Sequence, residues 1–432
     1  MKKKYWSIIY GSIIIIFFIC CFINQSHSSV STNPHDKQTI SSEQFLIEIP
    51  YQLWIEENNY CLNLYEPIEG CYIGAYILAN KYVDFDIQEF EKKVQKPHST
   101  YMYNLKLGEP FPLDWVLDCT SQMKVPHIII HPPSHLFPYQ EHLLEQTSKE
   151  FGEFFIPMFV QLYPNFTDYM GSPSEYKNFF QTASRIFKKN APNVSIVWSL
   201  PVENLYHSFL YDPGDVSMDW IGIHVNISTK EQEKNNNKDI LQSIYDFYIT
   251  YQHRKPLMIS QLEIAHYSTK NHSYYINETK TILKEIYDKI ETMYPRIKAI
   301  QYMNTYQKEI NSLNHTYENF SITEQPEILD TYKNLIASSH YLENIDVQSN
   351  GEVYPQWILL DTPIYYLNEK LYVSDYFFAQ PYIQTKFNNL VKKPIIIKNQ
   401  KLYSLESICK DIGYKLKMNQ RKNCIYLTFD RS

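Results

Sequence analysis

Between residues 126 and 304 the sequence repeatedly closes a short apolar run with side chains that could bind or react. The runs end in His131 before Pro132-Pro133, in Tyr163-Pro164-Asn165, in Trp198-Ser199, in His224-Val225-Asn226, in Gln261-Leu262-Glu263 and in Tyr302-Met303-Asn304. The set is polar and aromatic, and the chain's aromatic content of 16% suits carbohydrate surfaces, where flat rings stack on sugar faces. The candidate ligand-binding residues are Asn165, Gln261, Trp198, His224, Asn226 and Tyr302. Acid–base or nucleophilic chemistry needs ionisable groups, and among these run ends only Glu263 is an acid. Alternation along a strand puts Gln261 and Glu263 on one face. Glu203 or Asp212 could supply a second carboxylate, but Asp212 and Asp215 read first as turn-fixing residues. Trp198 reads equally as core filler, and His224 reads more readily as a polar contact than as a catalyst. No Cys/His/Asp/Glu spacing typical of a metal site occurs, and neither GxGxxG nor GxxxxGK[ST] is present in a chain with 10 Gly in 432 residues. No metal or cofactor is therefore expected.

The elements that would position these residues alternate. Strands are predicted at 71–80, 99–106, 126–131, 156–163, 195–200, 219–226, 255–262 and 297–303, several of them continuous apolar runs of the kind buried on both faces. Helical periodicity lies between them at 87–94, 142–154, 174–189, 238–252 and 275–292, while the second helix is poorly marked. Eight strands with intervening helices point to a (β/α)8 TIM barrel over residues 45–340, whose chemistry would sit at the C-terminal strand ends. The pattern then changes. Residues 355–432 show short strands and one amphipathic helix at 405–413, which read as a small α+β module.

Composition narrows the function classes. Apolar residues make up 44% and charged residues 20%, which excludes disorder over most of the chain, and a net charge of −7 argues against nucleic acid as a partner. Lys2-Lys3-Lys4 precedes the apolar run 5–23, long enough to nearly cross a bilayer, with its basic flank retained inside. Residues 1–24 therefore read as a membrane anchor or a signal peptide, and 25–44 as a polar tether. Both readings place the rest of the chain outside the cytoplasm. Cys61–Cys71 and Cys409–Cys424 could close local disulfides or remain buried thiols.

At the strand ends the chain resembles family 26 glycoside hydrolases, the β-mannanases and related β-glycanases. Cys71-Tyr72-Ile73-Gly74-Ala75-Tyr76 is similar to the family's opening strand, and Asn193-Val194-Ser195-Ile196-Val197-Trp198-Ser199 to its fifth. Tyr211-Asp212-Pro213-Gly214-Asp215 with Asp219-Trp220-Ile221-Gly222 matches "YYPGD…VDWIG", and Lys255-Pro256-Leu257-Met258-Ile259-Ser260 resembles "KPIMISE". The resemblance implies a retaining glycosidase with two catalytic Glu residues. This chain departs at both: Asn165 stands at the acid/base position, beside Pro164 where the motif has His, and Gln261 stands at the nucleophile. A retaining mechanism needs two carboxyl groups about 5–5.5 Å apart, and an amide neither protonates a leaving group nor attacks the anomeric carbon. Both amides still hydrogen-bond sugar hydroxyls. The expectation is a cell-surface, glycosidase-like barrel that binds a β-linked polysaccharide or cell-wall glycan without cleaving it. The alternatives are a hydrolase with relocated acids, of which Glu263 is one, and a structural envelope protein. A register shift that brought Asp168 or Glu175 to the acid position would favour activity.

The segment from Lys393 to Leu416, with Pro394-Ile395-Ile396-Ile397 followed by Leu405-Glu406-Ser407-Ile408, resembles the stalk modules named after the copper amine oxidase N-terminal domain. It carries no copper-binding constellation, and the resemblance implies a spacer or wall-associated role.

Overall fold

The computed structural model describes residues 46–132, 141–163, 172–233, 237–306, 317–347, 351–390, 393–397 and 399–430. Two short strands come first, β1 (Ile47–Ile49) and β2 (Gln52–Glu57). Then follow β3 (Cys71–Tyr76), β4 (Thr100–Lys106), β5 (Val125–His131), β6 (Met158–Leu162), β7 (Val194–Pro201), β8 (Trp220–Ile227) and β9 (Leu257–Ile264). Beyond the small strands β10 (Tyr267–Ser268) and β11 (Ser273–Tyr274) lies β12 (Ile297–Met303). Strands β3 to β9 and β12 pair in parallel in chain order, and β12 pairs back onto β3, which closes an eight-stranded barrel. The predicted (β/α)8 architecture is the observed one, with a small α+β module after it.

Helices α1 (Ile87–Val94), α2 (Leu113–Ser121), α3 (Glu141–Gly152), α4 (Pro173–Asn190), α5 (Asn237–Tyr251), α6 (Ile276–Thr292) and α7 (Pro326–Ile336) flank the barrel. Helix α4 starts where its sequence says it should. Ser172 accepts from Glu175 N–H, Glu175 accepts from Ser172 N–H, and Pro173 fills the first turn, a capping box with preset backbone angles. Between β7 and β8 the connection is a 3-10 segment, Val202–Leu210, and not an α-helix. Each barrel strand buries both faces. Outward residues such as Ile196, Ile221, Ile259 and Ile300 join the core under the helices, while Tyr72, Phe159, Val197, Trp220, Met258 and Ala299 pack on the axis.

The end of the barrel where the strands begin is sealed by the chain segment from Tyr60 to Gly70. Trp220 Nε1 donates to Leu64 O at 2.8 Å, Tyr65 OH to Asn193 O at 2.8 Å, and Lys298 Nζ to Ile68 O at 2.9 Å. Arg296 is fully buried beside Glu66, with the Tyr60 ring 4.0 Å from its guanidinium. Burial pushes the Lys298 ammonium down to about 8.

Strands β1 and β2 do not join the barrel, although they fall within the 45–340 span. After β13 (Glu318–Asn319) and β14 (Tyr341–Leu342), strands β15 (Gln356–Leu360), β16 (Ile364–Leu367), β17 (Lys370–Val373), β18 (Ile395–Ile397), β19 (Gln400–Ser404), β20 (Tyr414–Asn419) and β21 (Cys424–Phe429) build two sheets. β2 lies between β15 and β21 in one sheet, and β1 edges the other beside β16. Leu53 and Ile55 of β2 sit in the module's core with Ile358, Leu371, Ile408 and Ile425. The module is thus assembled from both ends of the residue 46–430 span. Helix α8 (Leu405–Ile412) ends at Gly413, whose φ of 76° suits a residue without a Cβ. Among the described residues the cysteines are free thiols: Cys71, Cys119, Cys409 and Cys424 are buried and Cys61 is exposed. No helix of the described residues is long and apolar enough to cross a membrane, and residues 1–45 lie outside them.

Candidate functional site

At the middle of the barrel the inward side chains turn polar. Thr100 and Gln301 share hydrogen bonds at 2.7 and 2.9 Å, His127 Nε2 meets Gln161 Oε1 at 3.2 Å, and Ser199 Oγ meets Ser260 Oγ at 2.6 Å. Two glycines keep this layer narrow. A Cβ on Gly222 would lie 2.9 Å from Ser260 Cβ, and one on Gly74 would overlap the Gln301 side chain. Burial pushes the His127 imidazole down to about 4, so the ring is neutral at ordinary pH.

The seventh strand then breaks its own alternation. Ile223 pairs with Ile259 but His224 pairs with Gln261, so Ser260 is an extra residue, a β-bulge. Met258 and Ser260 face the axis. Beyond the bulge Leu262 and Ile264 face the outer core, which turns Gln261 and Glu263 inward at the C-terminal end. Glu263 Oε2 accepts from Asn226 Nδ2 and lies 3.8 Å from His224 Nε2. Gln261, His224, Asn226 and Glu263 therefore meet at the mouth, on adjacent strands β8 and β9. Asn165, Pro164 and Asp168 lie outside the described residues.

Two expected contacts are elsewhere. Trp198 is fully buried on the outward face of β7, edge-on to Tyr251 at 5.9 Å. Tyr302 is fully buried on the outward face of β12, where its hydroxyl donates to Phe320 O at 3.0 Å. Neither ring reaches the mouth, because the phase of each strand sends these positions into the layer beneath the helices. Glu175 is held by the α4 cap. Asp212 is bound by Arg254, three residues ahead of β9. At about 3.3 Å per residue, the nine residues from Arg254 to Glu263 put Asp212 far from Glu263. Glu203 remains near. It lines a cleft of about 420 Å³ with Val202, Asn226, Ser228 and Glu231.

The mouth also holds groups that the run ends did not announce. Asn104 Oδ1 lies 2.9 Å from His131 Nε2, and the Tyr76 hydroxyl bonds to Asn104. On loops after β3, β9 and β12, the rings of Tyr82, Tyr267, Tyr274, Tyr306 and Tyr317 gather near Glu324. Burial would raise the Glu324 carboxyl. Hydrogen bonds from His266 (3.1 Å), Tyr82 (2.7 Å) and Asn319 outweigh it and hold the group below the usual range. These residues come from separate loops, so no local spacing in the sequence marks them. A second cleft of about 510 Å³ lies at the opposite end. Its cations are engaged: Lys188 by Asp219, Lys386 by Glu57, Arg254 by Asp212 and Asp215, and Lys255 by Asn63. Among the described residues no group of three or more His, Cys, Asp or Glu could hold a metal ion.

Comparison with solved structures places this fold. The modular endo-β-1,4-mannanase of glycoside hydrolase family 26 from Cellulomonas fimi matches with a TM-score of 0.51 at 12% identity, over 68% of this chain and 80% of that one. The family 26 β-mannanase from Bacteroides ovatus gives 0.46 at 13% identity, over 66% and 93%. An endo-1,4-β-xylanase from Caldicellulosiruptor owensensis gives 0.44 at 10% identity, over 64% and 100%. The chain thus shares the barrel fold of the Cellulomonas fimi enzyme. No protein-family profile matches the sequence, and no curated relative is found by sequence.

Proposed function

We propose that this protein is a cell-surface, membrane-anchored barrel that binds a β-linked polysaccharide at its C-terminal mouth without hydrolysing it. The observation that carries the reading is the bulged end of β9. It presents Gln261 beside His224, with Glu263 tied to Asn226. With Asn165 in the preceding motif, the two positions that would carry carboxylates in the family carry amides. Amides at these two positions offer hydrogen-bond donors and acceptors but act neither as acid nor as nucleophile. The tyrosine cluster around Glu324 supplies ring faces at the same end. Residues 5–23 supply the anchor, and the module a spacer.

A second reading, hydrolysis with relocated acids, draws support from the cleft in which Glu203 adjoins Asn226, the partner of Glu263. The test is retardation of the full chain in gels containing mannan, xylan or β-glucan. At least one polysaccharide should retard it, and His224→Ala or Gln261→Ala should weaken binding about tenfold, as loss of one or two hydrogen bonds implies. Retardation by none of them would contradict the proposal.

A further inference from the structure

Three apolar side chains stand apart on the described surface. Met123, Phe155 and Val216 are 81, 92 and 90% exposed, and the next most exposed large apolar residue, Tyr206, reaches 69%. All three enter barrel strands. Met123 lies between α2 and β5, Phe155 between α3 and β6, and Val216 in the 3-10 turn Asp215–Ser217 ahead of β8. They therefore project from the end of the barrel opposite the mouth. They also occupy one arc of it. The module packs on the other arc, where Gln252 exchanges hydrogen bonds with Leu359 and the His253 ring meets Tyr382. Met123 adopts a left-handed φ of 60°, a conformation that favours Gly or Asn, yet the position keeps a long apolar side chain. Beside Val216, the last turn of α4 exposes Lys189, while Lys188 Nζ is held by Val216 O at 3.1 Å and Asp219 at 3.0 Å.

We propose that this end of the barrel rests on a lipid bilayer, with Met123, Phe155 and Val216 dipping into the acyl boundary and Lys189 at the headgroups. The inference rests on the reading of residues 5–23 as an anchor, which keeps the folded part beside a membrane. A bilayer fits better than a protein partner. A partner's core needs a contiguous apolar patch, whereas each of these side chains stands clear of its neighbours on its own loop. Isolated apolar protrusions with a lysine beside them suit a soft interface that closes around each one. Glu153, exposed beside Phe155, stays at headgroup level. The consequence is an orientation in which the mouth faces away from the membrane.

The experiment uses the full chain in vesicles of phosphatidylcholine and phosphatidylglycerol. Benzoylphenylalanine replaces Met123, Phe155, Val216 or, at the mouth end, Tyr274. After flotation and illumination, lipid adducts are read by mass spectrometry. Adducts at the first three positions and none at Tyr274 are expected. A chain that floats but gives no lipid adducts at the three positions, or equal adducts at Tyr274, overturns the proposal and leaves the anchor intact. Cross-links to a second copy at these positions also overturn it. A chain that does not float contradicts the anchor reading and this inference with it.

Discussion

At the mouth, the Glu263 carboxylate accepts from Asn226 and lies 3.8 Å from His224 Nε2. The residues that decide stability lie deeper. His98 and His127 are fully buried, and burial pushes their imidazoles down to about 3 and about 4, from an ordinary value near 6.5. In that interval the unfolded chain binds protons that the folded chain refuses, so stability is whole above about pH 6.5 and falls as pH drops towards the folded values. Each histidine should contribute a slope of up to about 1.4 kcal/mol per pH unit. Urea unfolding between pH 7 and pH 4.5 should show the decline, and His127→Gln should make it shallower; a flat profile would contradict the assignment. Thiol chemistry is a second check. Burial pushes Cys409 up to about 12 and Cys71 and Cys119 higher. Of the described cysteines, Cys61 should be the one a maleimide modifies in the native protein. At this scale the sequence was half legible. His224, Asn226, Gln261 and Glu263 could be named from run ends. Trp198 and Tyr302 could not be placed, because strands apolar on both faces carry no alternation that tells inward from outward.

Among the elements, the strands were the most readable feature. The eight predicted runs fall within a few residues of β3 to β9 and β12, since fully buried parallel strands leave unbroken apolar stretches. The bulge at Ser260 was not readable, although inward Met258 and inward Gln261 are three residues apart and so need one extra residue between them. Nor was the role of β1 and β2. Their partners lie some 300 residues on in the sequence, and a short strand gives no sign of a partner at such separation. The narrow barrel middle makes an element-scale prediction. Gly222→Ala forces a Cβ against Ser260 and Ser199, so denaturant unfolding should show a loss of about 1–3 kcal/mol. Unchanged stability would mean that β7, β8 and β9 are less tightly packed than the structure has them.

Over the whole molecule, residues 46–432 form one compact unit, in which the segment after β2 seals the barrel and β2 itself centres a module sheet. The Glu66–Arg296 pair in that seal is fully buried. Glu66→Ala strands the Arg296 charge and should cost about 3–5 kcal/mol in denaturant unfolding. Because β2 ties module to barrel, wild type should unfold in a single transition by both far-UV dichroism and tryptophan fluorescence; two separated transitions would show that the module folds independently of the barrel. The central claim is that a glycosidase-like barrel here binds without cleaving. Its most direct test is product formation by the full chain on mannans, xylans, β-glucans and peptidoglycan, read by mass spectrometry. The account predicts no oligosaccharide products on any of them. Products that disappear in Glu263→Gln would contradict it and show that the acids have moved.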